Sequence, residues 1–90
     1  MQIEFDPDKE ATNLAKHKIS LRRASELTTL HVEPDVRFAY GEARYRAWGT
    51  IDGRAYCLVF TARGGRTRVI SLRRAHQKEM DRYVPETPRL

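Results

Sequence analysis

Two spacings divide the chain. Up to Leu30 the apolar residues recur three and four positions apart, as on one face of a helix. After Glu42 they alternate with polar residues, as in a strand. The first helix is expected from just after Asp6 to near Lys16, with Ala11, Leu14 and Ala15 on its apolar side. Asp6 can cap it, Pro7 loses nothing at the first helical position, and Asp8 suits the positive end. Ser20 marks the cap of a second helix, from Leu21 to about Leu30, with Leu21, Ala24, Leu27 and Leu30 along one side. The link around His17 to Ile19 is so short that the two helices form a corner or hairpin. Gln2 to Phe5 reads as an extended lead-in.

Val36 to Tyr40 reads as a short strand. Glu42 to Ile51 places Glu42, Arg44, Arg46 and Trp48 on one face, with Ala43, Tyr45 and Ala47 on the other. Asp52-Gly53 is a strong hairpin signal. Arg54 to Thr61 is apolar on both faces from Tyr56 to Phe60, as in a central strand. Gly64-Gly65 turns the chain into a further strand, Thr67 to Leu72. Arg74 to Tyr83 returns to helical spacing, with Ala75, Glu79, Met80 and Tyr83 on one face. Pro85 and Pro88 stop it, and residues 84–90 read as a loose tail. The expected architecture is one α+β domain over residues 1–90: two N-terminal helices, an antiparallel meander of three to four strands, and a C-terminal helix against the sheet.

Ninety residues allow one small domain with a modest core, and 40% hydrophobic with 32% charged residues fits a globular chain rather than a disordered one. There is no apolar run of membrane-spanning length and no signal-peptide pattern, so a cytoplasmic protein without membrane contact is expected. Cys57 is the single cysteine, which excludes an internal disulfide and a cysteine metal cage. Within Tyr56-Cys57-Leu58-Val59-Phe60 it reads as a buried structural thiol. His17, His31 and His76 lack metal-ligand spacing, and no metal or cofactor is expected.

The net charge of +5 is concentrated. Residues 1–34 hold five basic and six acidic side chains, and residues 75–90 hold three of each. Residues 35–74 hold nine arginines against three acids. Arginine forks match phosphate geometry and stack on bases, so this excess points to nucleic acid or an acidic protein partner. Arg44, Arg46 and Trp48 share a strand face that can grip phosphates and stack a base; equally, Trp48 can pack beneath a helix. Arg63, Arg66, Arg68, Arg73 and Arg74 border the last strand. Arg68 and Arg73 are an odd number apart, so they share a face only if that strand ends or bulges before Arg73. Glu79 reads either as an ion-pair partner holding the last helix to the sheet or as a general base, with Tyr83 a proton donor or phosphate ligand one turn on. Lys16-His17 complements a helix C-terminus, and His17 is also a candidate proton carrier. His31 and His76 carry no pattern.

Phe5-Asp6-Pro7-x-Lys9, Asn13, Lys16-His17, Glu42-x-Arg44, Gly49, Gly53-Arg54, Thr61-x-Arg63-Gly64, Arg68-x-Ile70-Ser71-x-Arg73-x-Ala75, Glu79 and Tyr83 occur in this order across nearly the whole chain. Together they resemble the BrnT toxins. No one element is specific; their order and spacing are. The resemblance implies a RelE-like fold and a metal-independent endoribonuclease toxin of a type II toxin–antitoxin system, which cuts RNA and stops translation. It implies a BrnA-like antitoxin that covers the active site in a 2:2 complex and binds operator DNA, so that the toxin meets DNA only through it. Cleavage by 2′-hydroxyl attack needs a base, cations for the phosphorane and an acid for the leaving oxygen. On this reading Arg44 and Arg73, with Arg63 and Arg68, hold the phosphate; His17 or Glu79 is the base; Tyr83 or Lys16 assists the leaving group. Lys18 stands where the glycine usual after the Lys-His pair would sit, and Leu72 where the usual residue is alanine. A non-catalytic nucleic-acid-binding module and a degenerate toxin kept as a regulatory partner are the competing readings.

Overall fold

A computed structural model of the chain describes residues 2–85. Its elements are β1 (Ile3–Glu4), α1 (Pro7–His17), a 3-10 turn (Leu21–Glu26), β2 (Thr28–Pro34), β3 (Tyr45–Ile51), β4 (Arg54–Arg63), β5 (Arg66–Arg74) and α2 (Gln77–Tyr83). The five strands form one sheet in the order β1-β5-β4-β3-β2. β2 to β5 make an antiparallel meander, and β1 adds in parallel beside β5. The class is α+β, but the helix layout differs from expectation: the lead-in is a strand, so α1 follows β1.

The start of α1 obeys local rules. Asp6 accepts a hydrogen bond from the Asp8 N–H at 2.7 Å, and Pro7 opens the helix. It ends at Lys18, whose φ of 61° is left-handed. The Lys18 N–H donates to the Leu14 carbonyl, and its Nζ to the Ala15 carbonyl at 2.9 Å. Glycine adopts this backbone more easily.

The second helix is not there. Ser20 caps as expected, accepting from the Arg22 N–H at 3.1 Å, but it starts a 3-10 turn that ends at Glu26. Thr28 to Leu30, expected in the helix, open β2; Thr28 and Thr29 pair with β3, and the register shifts between Thr29 and His31. Thr28, Thr29 and Val32 are β-branched, and a partner strand outweighs a weak helical spacing. Val36 to Tyr40 forms no strand. It is a loop gathered on buried Asp35, whose carboxylate accepts from Arg37 Nε and Nη2 at 2.8 Å each and from the Tyr40 hydroxyl at 3.0 Å. α2 begins at Gln77 because Arg74 is still paired with Tyr56 in the ladder. The hairpin at Asp52-Gly53 forms with positive φ at both residues, as a tight primed turn requires. The expected tail lies, from residue 86 on, outside the described residues.

The core fills the sheet face beneath α1 and the 3-10 turn. Ile19, Leu21, Ala24, Ala47, Ile51, Tyr56, Leu58, Val69 and Leu72 are buried there together. Between β4 and β5 the register shifts: Val59 opposes Ser71, while Phe60 opposes Val69. The bulge leaves Arg68 opposite Thr61 and Arg73 opposite Cys57, two β4 positions on the same face. Both arginines therefore belong to the face away from the core.

Candidate nucleic-acid interface

Pairing aligns two rows of side chains across that outer face. His31, Trp48, Cys57 and Arg73 form one row; Glu33, Arg46, Val59 and Ser71 form the next. α2 lies over the first row. Glu79 accepts from Arg73 Nη1 and Nη2 at 2.9 and 2.7 Å and from Trp48 Nε1 at 2.9 Å. The Arg73 hydrogen bonds, with lesser help from Trp48, hold the Glu79 carboxyl down at about 2. Tyr83 stacks on the indole with ring centroids 3.9 Å apart. Trp48 is fully buried in consequence, so its ring is not open to a base while α2 is seated.

Cys57 lies in the middle of this row, and burial pushes its thiol up to about 11. The charges of Arg73, Arg46 and Arg37 all reach that thiol. Arg73 stands beside Cys57 in the ladder, and Arg46 lies over the neighbouring Trp48 ring at 4.9 Å. The sequence had not singled out Arg37. Nothing in its spacing marks it, because its place is set by the bidentate bond to buried Asp35.

Lys16 and His17 meet the row at its β5 end. Asn13, buried on α1, donates from Nδ2 to the Ile19 and Leu72 carbonyls at 2.9 Å each, and accepts from the Leu72 N–H at 3.1 Å. These bonds set α1 along the β5 edge, and His17 follows one turn later. Burial lowers the His17 imidazole below its ordinary value, and the charges of Lys16 and Arg73 lower it further. The lowering favours the neutral imidazole, the form that accepts a proton.

Of the residues expected in the site, Arg46, Trp48, Arg73, Glu79 and Tyr83 come together, and the charge of Arg73 reaches His17 at the end of α1. Arg44 and Arg63 form a separate pair on Glu42, at 3.3 and 2.9 Å, and Arg44 also covers the Tyr40 ring. Arg68 is held by Glu4 at 3.0 Å, next to β1. His31 and Glu33, on the far end of the rows, were missed. Their two-residue spacing is a strand signal, hidden by reading the segment as helix up to Leu30.

Among the described residues no group of three or more His, Cys, Asp or Glu is placed to hold a metal ion, and no helix is long and apolar enough to cross a membrane. Residues 5–79 match the family model described as ribonuclease toxin, BrnT, of type II toxin-antitoxin system. The chain belongs to the BrnT family. The match takes in the Asp6 cap, the Lys16-His17 pair, the 35–44 loop and the Arg73–Glu79 pair, and it ends before Tyr83. No curated protein matches the chain.

Proposed function

We propose that this chain is a RelE-like endoribonuclease toxin that binds RNA across the outer sheet face and cuts it by 2′-hydroxyl attack, without a metal. The observation that carries the reading is that Arg73, through Glu79, and Arg46, at 4.9 Å over its ring, both meet Trp48 on that face, in a chain of a ribonuclease toxin family. Guanidinium groups stabilise the charge that builds on a phosphorane. Arg44, Arg63 and Arg68 extend the basic surface along the RNA. Glu79 positions Arg73: with its carboxyl near 2 it is a weak proton acceptor. Of the groups that the sequence offered for proton transfer, His17 and Lys16 at the β5 end and Tyr83 above β3 remain. In the cytoplasm the toxin stops translation, and a BrnA-like antitoxin neutralises it in a 2:2 complex that alone contacts operator DNA.

Expression in a bacterial host without antitoxin tests this, beside a version carrying Arg46→Gln and Arg73→Gln. Growth arrest with RNA fragmentation, relieved in the double variant while folded protein still accumulates, is the expected result. Normal growth with abundant wild-type protein would instead favour the non-catalytic binding module or the degenerate toxin. Arrest that persists in the double variant would move the site off this face.

A further inference from the structure

The β2 end of the outer face carries acid–base groups that the family reading leaves unused. His31 and Glu33, two residues apart on β2, stand opposite Trp48 and Arg46. His31 Nε2 lies 3.1 Å from Glu33 Oε1. Glu33 Oε2 faces Arg46 Nη2 at 3.7 Å, and the same nitrogen lies 3.5 Å from the Tyr83 hydroxyl. The imidazole packs beside Tyr83 and Trp48, with centroids 6.3 and 5.9 Å away. Rings and a carboxylate thus hold it in place, yet its side chain is 40% exposed.

Arg46 differs from its neighbours in what it still lacks. The forks of Arg73 and Arg37 are each filled by a carboxylate through two bonds of 2.7–2.9 Å. Arg46 has no such partner. Its side chain is 12% exposed, its Nε is buried with no hydrogen-bond acceptor, and its nearest carboxylate is beyond hydrogen-bond distance. A confined guanidinium with unfilled donors, next to an oriented and open imidazole, is suited to an anionic acceptor such as a phosphodiester.

We infer that His31, oriented by Glu33, is the proton acceptor in RNA cleavage at a phosphate held by Arg46. This rests on the ribonuclease reading above and locates its chemistry at the β2 end. The carboxylate of Glu33 accepts from Nε2–H, which leaves the Nδ1 lone pair for substrate. Nδ1 takes the proton of the 2′-hydroxyl as the 2′-oxygen bonds to phosphorus. The P–O5′ bond breaks, its electron pair stays on the 5′-oxygen, and that oxygen takes the proton of the Tyr83 hydroxyl. The products are a 2′,3′-cyclic phosphate and a 5′-hydroxyl, and proton exchange with water resets both side chains. His31 and Arg73 are three strands apart in one row, roughly 14 Å at the usual strand spacing. With Arg46 and His31 on the reacting phosphate, Arg73, Lys16 and His17 grip the RNA at a neighbouring position.

The test measures cleavage of a labelled mixed-sequence RNA and, separately, its binding by fluorescence anisotropy. His31→Phe keeps a packed ring and removes both nitrogens. It is expected to slow cleavage about 100-fold or more while the Kd for RNA stays within about threefold. His31→Gln gives the same contrast without depending on how phenylalanine packs. Added imidazole is expected to restore part of the activity of His31→Ala, which a purely structural role would not produce. Wild-type cleavage rates in both His31→Phe and His31→Gln, or losses that only track weaker RNA binding, overturn the assignment of His31. A wild-type chain that binds RNA and cuts none overturns the ribonuclease reading itself, and this assignment with it.

Discussion

The Asn13 side chain occupies the place of a missing strand at Leu72. It donates to the Leu72 carbonyl and accepts from the Leu72 N–H, beyond the point where β1 stops pairing with β5. One side chain therefore closes an open sheet edge, docks α1, and brings His17 to Arg73. Asn13→Ala strips hydrogen bonds from buried backbone groups of Leu72 and Ile19. It is expected to cost about 2 kcal/mol or more. Urea denaturation measures this, and an unchanged midpoint would show that α1 docks by other means.

The turn after His17 holds a lysine in a left-handed backbone, with φ of 61° at Lys18. A side chain there costs about 1 kcal/mol relative to glycine. Lys18→Gly is expected to raise the melting temperature, the lost Nζ bond to Ala15 being exposed and of small value. A lower melting temperature would mean that the lysine contact outweighs the backbone strain.

Lys16 adds a positive charge beside an imidazole whose pKa burial already lowers. Lys16→Met removes one of the charges opposing protonation, so the His17 pKa is expected to rise toward its ordinary 6.5. An NMR titration of the imidazole protons reads this directly. A pKa that stays fixed, or falls, would place Lys16 away from His17 in solution.

The Arg73–Glu79 pair ties stability to pH. Glu79 titrates near 2 in the fold and near its ordinary 4.5 when unfolded, so the folded state holds its proton less tightly. The stabilisation is complete above the unfolded value and drains away as pH falls toward 2. Glu79→Gln is expected to melt below wild type at pH 7, and the gap to narrow steadily between pH 4.5 and pH 2. A gap independent of pH would show that Glu79 contributes through packing rather than charge.

What the amino-acid order settled was mostly short-range. Asp6 and Pro7 start a helix wherever it lies, and Asp52-Gly53 closes a hairpin, because a capping oxygen or a positive φ acts within a few residues. An ion pair from Glu79 to the last strand was among the readings of the sequence, but that Arg73 rather than Arg68 makes it is seen only in the fold. The family was legible because its motifs run in order along the chain.

Tertiary structure decided the rest. Thr28 to Leu30 joined a strand against their helical spacing, because β3 supplied a partner that no local window contains. The bulge opposite Val59 and Phe60 turned Arg68 and Arg73 to one face, where alternation alone would have split them. Trp48 was legible as an aromatic beside arginines, but its burial depended on Tyr83, 35 positions on, settling over it. Arg37 was held by buried Asp35, and His31 met Glu33, Arg46 and Tyr83 only when three separate segments packed together. Caps and turns are local energies; pairing, burial and the meeting of charges are set by residues far apart in the chain.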